Sequence, residues 1–305
     1  VMYKIRNILV STMLIVCVLT IIKAVAPGIL PSFIIGRVDL DTQLYMGGFH
    51  VIRNNALISP AGAWGQFVIS VFALYIFASV YNLKKAVNIN KFLAICLITS
   101  CAVLLTQSRS TWLSFSITIL ISYYLLYKKG LVEKYFNISF LIFFSIIIFI
   151  IGKDLYSWAL LLREHTAINR FGIMGNAFDL FQQRPIWGFG IIRFSSIDLY
   201  QYGAVIHNGF MYKLASTGIV GFIPYILSLL IVFYMSWKLL ATTSKDQVIK
   251  TYAPALFIGY IACLIELFFY RNVGSSFMWI VMGFIIALHK INCSIESKIR
   301  LGSIK

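Results

Sequence analysis

Arg109 is the first residue whose position suggests chemistry. It lies in the stretch Gln107–Leu113, between two apolar runs that each approach the length of a membrane helix. An ionisable side chain held at membrane depth is a functional candidate by default, because desolvating its charge is costly. The guanidinium fork binds phosphate or carboxylate through two parallel hydrogen bonds. We predict that Arg109 binds an anionic group; the alternative is an arginine that extends to the lipid headgroups.

His207 is the candidate for proton transfer. It lies in the stretch Val205–Phe210, directly before another apolar run. A neutral imidazole in that position can accept a proton from a hydroxyl group. The alternative is a histidine with only a structural hydrogen bond. The other histidines, His50, His165 and His289, have no comparable pattern around them.

Glu266 is an acidic residue inside an apolar run, and proton-coupled transport requires a group of that kind. One buried acid is weak support for a transporter. The chain has no HExxH, Walker, GxSxG or CxxC pattern, which argues against a serine hydrolase and an ATP-driven pump. Its five cysteines lack metal-ligand spacing, and we predict free thiols, no bound metal and no cofactor.

The elements that hold these residues are predicted to be membrane helices. The 305 residues are 60% hydrophobic and 12% charged, whereas a soluble domain is about 45–50% apolar and about 25% charged. The lipid bilayer is the environment that accepts this excess. The net charge of +16 does not indicate nucleic-acid binding, because the basic residues lie between apolar runs. We predict an all-α, polytopic transmembrane bundle, with residues 1–305 as one integral membrane domain.

Eight apolar runs approach the roughly 20 residues that a helix needs to cross a bilayer core. Backbone groups in lipid must be satisfied within the segment, so these runs are predicted to be helices. We interpret the first run as an ordinary membrane helix and not as a cleaved signal peptide. The eight runs are residues 8–26, 63–82, 92–107, 111–127, 136–152, 217–237, 252–270 and 274–289.

The basic residues predict the orientation. Lysines dominate one set of loops and the two termini, which the positive-inside rule assigns to the cytoplasm. Arginines dominate the opposite, periplasmic or outer, side, where they suit an anionic ligand such as a lipid diphosphate. The alternative is that they pair with nearby acids or with headgroups. These arginines are Arg37, Arg53, Arg109, Arg163, Arg170, Arg184, Arg193 and Arg271.

Two outer segments are long. Residues 27–62 are interpreted as a loop, and residues 153–216 as a large periplasmic loop that carries part of the active site. Within the second, we predict a short amphipathic helix from a cap at Thr166 to about Gln183, ended by Pro185 and followed by turns at two glycines. Its apolar side is predicted to hold Ile168, Phe171, Met174, Phe178 and Phe181.

Four motifs, taken in order, indicate a family. They are Ser108–Leu113, which has the form Arg-x-x-x-Leu, then Pro185–Gly190, His207-Asn208 and Thr217–Gly221; Arg170 leads the helix before the second. Their order and their common outer placement resemble the O-antigen ligase and polymerase family of bacterial membrane glycosyltransferases. The resemblance extends from near residue 100 to 240.

The resemblance implies an inverting, metal-independent transfer of glycan from an undecaprenyl-diphosphate-linked donor, without a nucleotide sugar. The active site would face the periplasm or outer side of the bacterial inner (cytoplasmic) membrane. Arg109 and Arg170 would bind the diphosphate, and His207 would act as the general base on a glycan or lipid-linked acceptor. The residues assigned to substrate binding are Arg184, Arg163, Asn208 and Trp187.

Four functions remain open at this point. The first is polymerisation of glycan repeats in the biosynthesis of a surface polysaccharide (O-antigen, capsule or exopolysaccharide), which we favour. The second is ligation of a finished glycan to a lipid or protein acceptor. A membrane transporter or exporter, and a structural membrane protein without an active site, are the third and fourth. Other proteins of polysaccharide assembly are expected partners for the first two.

Overall fold

Most of the chain that the structure describes is α-helical. A computed structural model describes residues 2–25, 43–46, 49–52, 61–81, 89–105, 109–128, 175–190, 208–242, 246–269 and 276–302. The helices in chain order are α1 (Met2–Val25), α2 (Ala61–Tyr81), α3 (Ile89–Leu105), α4 (Arg109–Lys128), α5 (175–183), α6 (Gly209–Ala241), α7 (Gln247–Phe269) and α8 (Ser276–Gly302).

The lengths and compositions of these helices are those of a multi-pass membrane protein. Within the described residues, five stretches are long and apolar enough to cross a bilayer: Lys4–Ile22, Ser110–Lys128, Gly209–Ala241, Val248–Phe268 and Phe277–Ser297. The predicted spans at 63–82 and 92–107 fall on α2 and α3, whose apolar stretches are shorter.

Part of the predicted topology is not tested by these helices. The predicted span at 136–152 lies outside the described residues. The count of eight spans, the cytoplasmic termini and the periplasmic loop at 153–216 therefore stay predictions, as does the single integral membrane domain.

A small β-hairpin corrects the interpretation of residues 27–62 as a loop, whereas the helices of the described residues confirm the all-α class. Strands β1 (Gln43–Met46) and β2 (Phe49–Ile52) pair antiparallel, with Met46 opposite Phe49. The sequence contained the signal for this hairpin. Two apolar runs separated by two glycines favour a hairpin with a two-residue turn, and Gly47-Gly48 separates these runs.

The first of two compact units comprises residues 1–122, 232–266 and 274–305. In it, α1 packs against both α2 and α3, and α2 also contacts α8. Polar and small residues join its helices, as is usual in membranes, where apolar burial alone does not drive helices together. The Ser70 hydroxyl lies 3.4 Å from the carbonyl oxygen of Gly259 in α7, and the Trp112 indole of α4 donates to the carbonyl of Val103 in α3 at 3.0 Å.

The second unit comprises residues 123–231 and 267–273. Its described part contains α5, the segment that follows α5, and the first two-thirds of α6. A small core of Ala177 and Leu180 from α5 and Tyr212 and Ala215 from α6 joins the two helices. These elements carry two of the motifs that the sequence singled out, Pro185–Gly190 and Thr217–Gly221.

Candidate functional site

Helix α5 ends where the sequence predicts, and the structure shows which of its residues pack against α6. The last helical residue is Gln183, and residues 185–187 form a turn that begins with Pro185. Ala177 and Leu180 are the buried residues, whereas Phe178 is 44% exposed. The small side chain of Ala177 allows α5 to approach Ala215 closely. The Phe178 and Phe181 rings lie 5.9 Å apart, so these two residues share a side as predicted, and the placement of that side at the membrane surface stays a prediction. The predicted start at Thr166 lies outside the described residues.

Helix α6 is broken at Gly218, and the chain after α5 closes the break. Gly218 has φ 60° and ψ −170°, which interrupts the helix. In a continuous helix the amides of residues 219 and 220 would donate to the carbonyls of residues 215 and 216. Here both amides and both carbonyls bond instead to residues within the segment 184–190, which we call the clasp. The four bonds are Ile219 N to Pro185 O (2.8 Å), Val220 N to Ile186 O (3.2 Å), Phe189 N to Ala215 O (3.2 Å) and Gly190 N to Ser216 O (2.8 Å).

Two glycines make this exchange possible. A Cβ atom on Gly218 would collide with the carbonyl group of Ile186, and one on Gly188 would lie 2.6 Å from the carbonyl carbon of Ser216. Both residues also have positive φ, 60° and 67°, a conformation that favours glycine. The motifs Pro185–Gly190 and Thr217–Gly221 are therefore the two halves of one backbone structure, which the sequence alone showed only as separate turn signals.

The clasp presents a cation and an aromatic ring at the surface of the second unit. Arg184, at its start, is exposed, and its guanidinium carbon lies 5.1 Å from the centroid of the Phe189 ring. The Trp187 side chain is 74% exposed. A guanidinium stacked on a ring loses freedom but can still donate hydrogen bonds in its own plane. Arg184 and Trp187, both predicted to bind substrate, are thus held on the same short, backbone-anchored segment.

Asn208 has a definite structural task at the start of α6. Its side chain is 6% exposed, and its Oδ1 atom accepts hydrogen bonds from the amides of Phe210 and Met211, both at 3.0 Å. This is the geometry of a helix N-cap, which satisfies amides that lack a partner in the first turn. The cap fixes the chain immediately after His207, and it leaves the predicted contact of Asn208 with substrate as a prediction.

We expect Asn208→Ala to destabilise the protein by about 1 kcal/mol, the usual cost of removing an N-cap. Thermal unfolding of the purified protein in detergent measures the effect. Asn208→Asp is the matched control, because a carboxylate oxygen can accept the same two hydrogen bonds, and it should unfold near the wild-type temperature. Equal unfolding temperatures for Asn208→Ala and the wild type would contradict the capping role.

Arg109 is the first residue of α4, and only residues 106–108 separate α4 from the end of α3. The hydrogen bond from Trp112 to Val103 ties these two helix ends together. The short connection before Arg109 that the sequence predicts agrees with these helix bounds, and the place of Arg109 at the mouth of the helical bundle stays a prediction. His207, Arg170 and Arg163 lie outside the described residues. The convergence of Arg109, Arg170 and His207 on one substrate therefore stays a prediction.

A buried polar cluster in the first unit was not anticipated beyond its acidic member. Glu266 of α7 is 0% exposed, and the hydroxyls of Ser110, Thr111 and Ser114 in α4 surround it. A weak signal existed in the sequence, because these three hydroxyl residues begin an apolar helix at positions i, i+1 and i+4 and thus share one side of it. Their partner on another helix was not visible from spacing.

Comparison with known families found a similarity in the segment that carries the sequence motifs. Residues 94–226 match the family model described as O-antigen ligase. The matched segment includes Ser108–Leu113, the clasp, His207-Asn208 and the break in α6. A comparison with curated proteins found no match. The resemblance inferred from the motifs is confirmed over residues 94–226, which are similar to the O-antigen ligase family.

Proposed function

We propose that this protein is a membrane glycosyltransferase that takes glycan from an undecaprenyl-diphosphate-linked donor at the outer side of the bacterial cytoplasmic membrane. The observation that carries the proposal is the family match over residues 94–226, which includes every motif assigned to the site. The clasp adds geometric support. It holds Arg184 and Trp187 on an anchored segment, where the guanidinium suits an anion and the indole suits the face of a sugar.

The proposed reaction divides between the cationic side chains and the imidazole. Arg109 and Arg170 bind the diphosphate, with Arg184 or Arg163 as helpers, and they offset the negative charge that grows on the leaving group. His207 takes the proton from the acceptor hydroxyl as the oxygen attacks the anomeric carbon. The bond from that carbon to the diphosphate breaks, and the configuration inverts. Because the diphosphate is a good leaving group, the proposed step uses no metal and no strong general acid.

Polymerisation of glycan repeats is the form of the reaction that we favour, and ligation is the alternative. Purified protein in proteoliposomes tests both. With a lipid-linked repeat as both donor and acceptor, a polymerase forms longer lipid-linked chains. A ligase forms product only when a separate lipid or protein acceptor is supplied. Movement of labelled glycan across the bilayer without any new glycosidic bond would instead support a transporter and sink the enzymatic proposal.

We expect Arg109→Lys to lower kcat/KM for the lipid-linked donor by about tenfold to a hundredfold, less than the roughly hundredfold to thousandfold loss when a stabilising donor at a developing charge is removed outright. Lysine keeps the charge but loses the planar fork that binds two phosphate oxygens at once. The matched control is Arg6→Lys in α1, at the end of the chain predicted to be cytoplasmic. Full activity of Arg109→Lys would instead favour an arginine that only reaches the headgroups.

A further inference from the structure

Three helices of the first unit meet around the carboxyl group of Glu266. Glu266 lies near the end of α7, and the hydroxyls of Ser110, Thr111 and Ser114 come from the first two turns of α4. Gly65 of α2 completes the contact. A Cβ atom there would lie 2.7 Å from the side chain of Thr111 and 3.2 Å from Oε1 of Glu266. Only a glycine lets the three helices approach this closely.

The carboxyl group is sealed from solvent and lacks a completed hydrogen bond. Glu266, Thr111 and Ser114 are each 0% exposed. Although the three hydroxyls interact with the carboxyl group, neither of its oxygens, nor the Ser114 hydroxyl, has a hydrogen bond of ordinary length and angle within the described part of the chain. The hydroxyls thus lie near the carboxyl group without an aligned hydrogen bond. Burial of a carboxyl group without such a bond is destabilising, so a group retained there needs a reason.

The position of the cluster along α4 supplies that reason. Its hydroxyls belong to the helix end where the amides of the first turn point outward and the helix dipole is positive. A carboxyl group is the side chain that best complements such an end. Arg109 is the first residue of the same turn. A contact that fixes the first turn of α4 therefore also fixes the backbone position of Arg109.

We propose that Glu266 is a positioning residue, which holds the first turn of α4 against α2 and α7 through the hydroxyls of Ser110, Thr111 and Ser114 and thereby sets the place of Arg109. The part that concerns catalysis rests on the proposed function, because it assigns the donor diphosphate to Arg109. Glu266 itself is outside the reaction. The buried carboxyl group of Glu266 then has a structural role in a glycosyltransferase and no role in proton-coupled transport.

Donor kinetics test the catalytic part, with Glu266→Leu and Glu266→Gln in the full-length protein. Leucine removes both oxygens, and the apparent KM for the lipid-linked donor should rise about threefold to thirtyfold, the range given by one interhelical polar contact. Glutamine keeps an oxygen and a donor and should restore most of the affinity. The control is Glu296→Gln in α8, a partly exposed carboxylate that accepts from Asn292 at 2.8 Å. An unchanged KM in Glu266→Leu, with only less folded protein, overturns the proposal, as does a glutamine variant no better than leucine.

A second measurement works without turnover. An Arg109→Cys variant, made in a chain with exposed Cys293 replaced by serine, reports the position of the α4 start through its labelling rate with a membrane-impermeant maleimide. Glu266→Leu should change that rate at least about threefold, and Glu266→Gln and Glu296→Gln should not. Equal rates in all backgrounds overturn the positioning role. If the wild-type protein transfers no glycan, the proposed function fails, but labelling still decides the positioning role.

Where Glu266→Leu yields too little folded protein, Ser114→Ala takes its place. This change removes one buried hydroxyl that lacks a completed hydrogen bond and leaves the carboxyl group intact. It should shift the donor KM and the labelling rate in the same direction as Glu266→Leu, by a smaller factor. If neither the donor KM nor the labelling rate changes in Ser114→Ala, the proposal is overturned.

Discussion

Gly218→Ala is expected to reduce the transfer activity per folded molecule by about a hundredfold and to lower the amount of folded protein. The added methyl group collides with the carbonyl of Ile186, so the clasp must leave the break in α6. Alanine also resists the positive φ of 60°, at roughly 1–2 kcal/mol. Loss of the clasp exposes two amides and two carbonyls and releases Arg184 and Trp187 from their anchored segment. Activity per milligram of monodisperse protein in detergent, together with the thermal unfolding temperature, measures the result.

A series of glycine substitutions separates the effect of the steric collision at Gly218 from the effect of its positive φ. Gly190 has φ 80° but open space around its Cβ position, so Gly190→Ala imposes the conformational cost without a collision. Gly283 lies inside α8 with no atom within 4 Å of its Cβ position, so Gly283→Ala imposes neither. The expected order of loss is Gly218, then Gly190, with Gly283 unchanged or slightly more stable. A Gly218→Ala protein as active and stable as Gly283→Ala would show that the clasp is dispensable.

The sequence predicted those features that depend on one segment at a time. Hydrophobic length is a direct physical requirement of the bilayer, so the runs at 8–26, 111–127, 217–237, 252–270 and 274–289 each fall on a helix capable of crossing it. The end of α5 at Gln183 followed from Pro185, whose ring cannot continue a helix. Such local rules need no knowledge of the rest of the fold.

Features that depend on two distant segments were not predictable. The glycines at 188 and 218 are about 30 residues apart, and their motifs give two turn signals without showing that each supplies the backbone partners that the other lacks. Similarly, Glu266 is 155 residues from Thr111, and only tertiary packing brings its carboxyl group to the first turn of α4. The packing of Ala177 in α5 also depends on a distant residue, Ala215 of α6, which the periodicity of α5 does not reveal.

The clasp changes how the family motifs should be interpreted. Thr217–Gly221 was one of the four motifs on which the family resemblance rests, and its described atoms build the break in α6 and its closure. The Thr217 hydroxyl donates to the carbonyl of Lys213 at 2.8 Å, inside the same helix. Gly218 in this motif is thus required by backbone geometry, and the exposed side chains that the clasp offers for chemistry are Arg184 and Trp187.

His207→Ala is expected to lower kcat for glycan transfer by about a hundredfold to ten-thousandfold, the usual contribution of a general base. The KM for the donor should change little, because the diphosphate is assigned to arginines and not to the imidazole. In cells, the surface glycan should shorten to single repeats if the enzyme is a polymerase. Initial rates with purified protein and electrophoresis of the cellular glycan measure the two effects.

The controls for this prediction separate loss of the base from loss of the fold. Asn208 caps α6 directly after His207, so a disturbed cap would also lower activity. The unfolding temperatures of His207→Ala and Asn208→Ala distinguish loss of the base from loss of the cap. Only Asn208→Ala removes the oxygen that caps the helix. His289→Gln, in α8 with its ring nitrogen 3.7 Å from the Cys293 sulfur, is the matched histidine control and should leave kcat unchanged. If His207→Ala retains wild-type kcat, the acceptor proton leaves by another route and the imidazole is structural. The arginine assignments would then have to stand on the Arg109→Lys result alone.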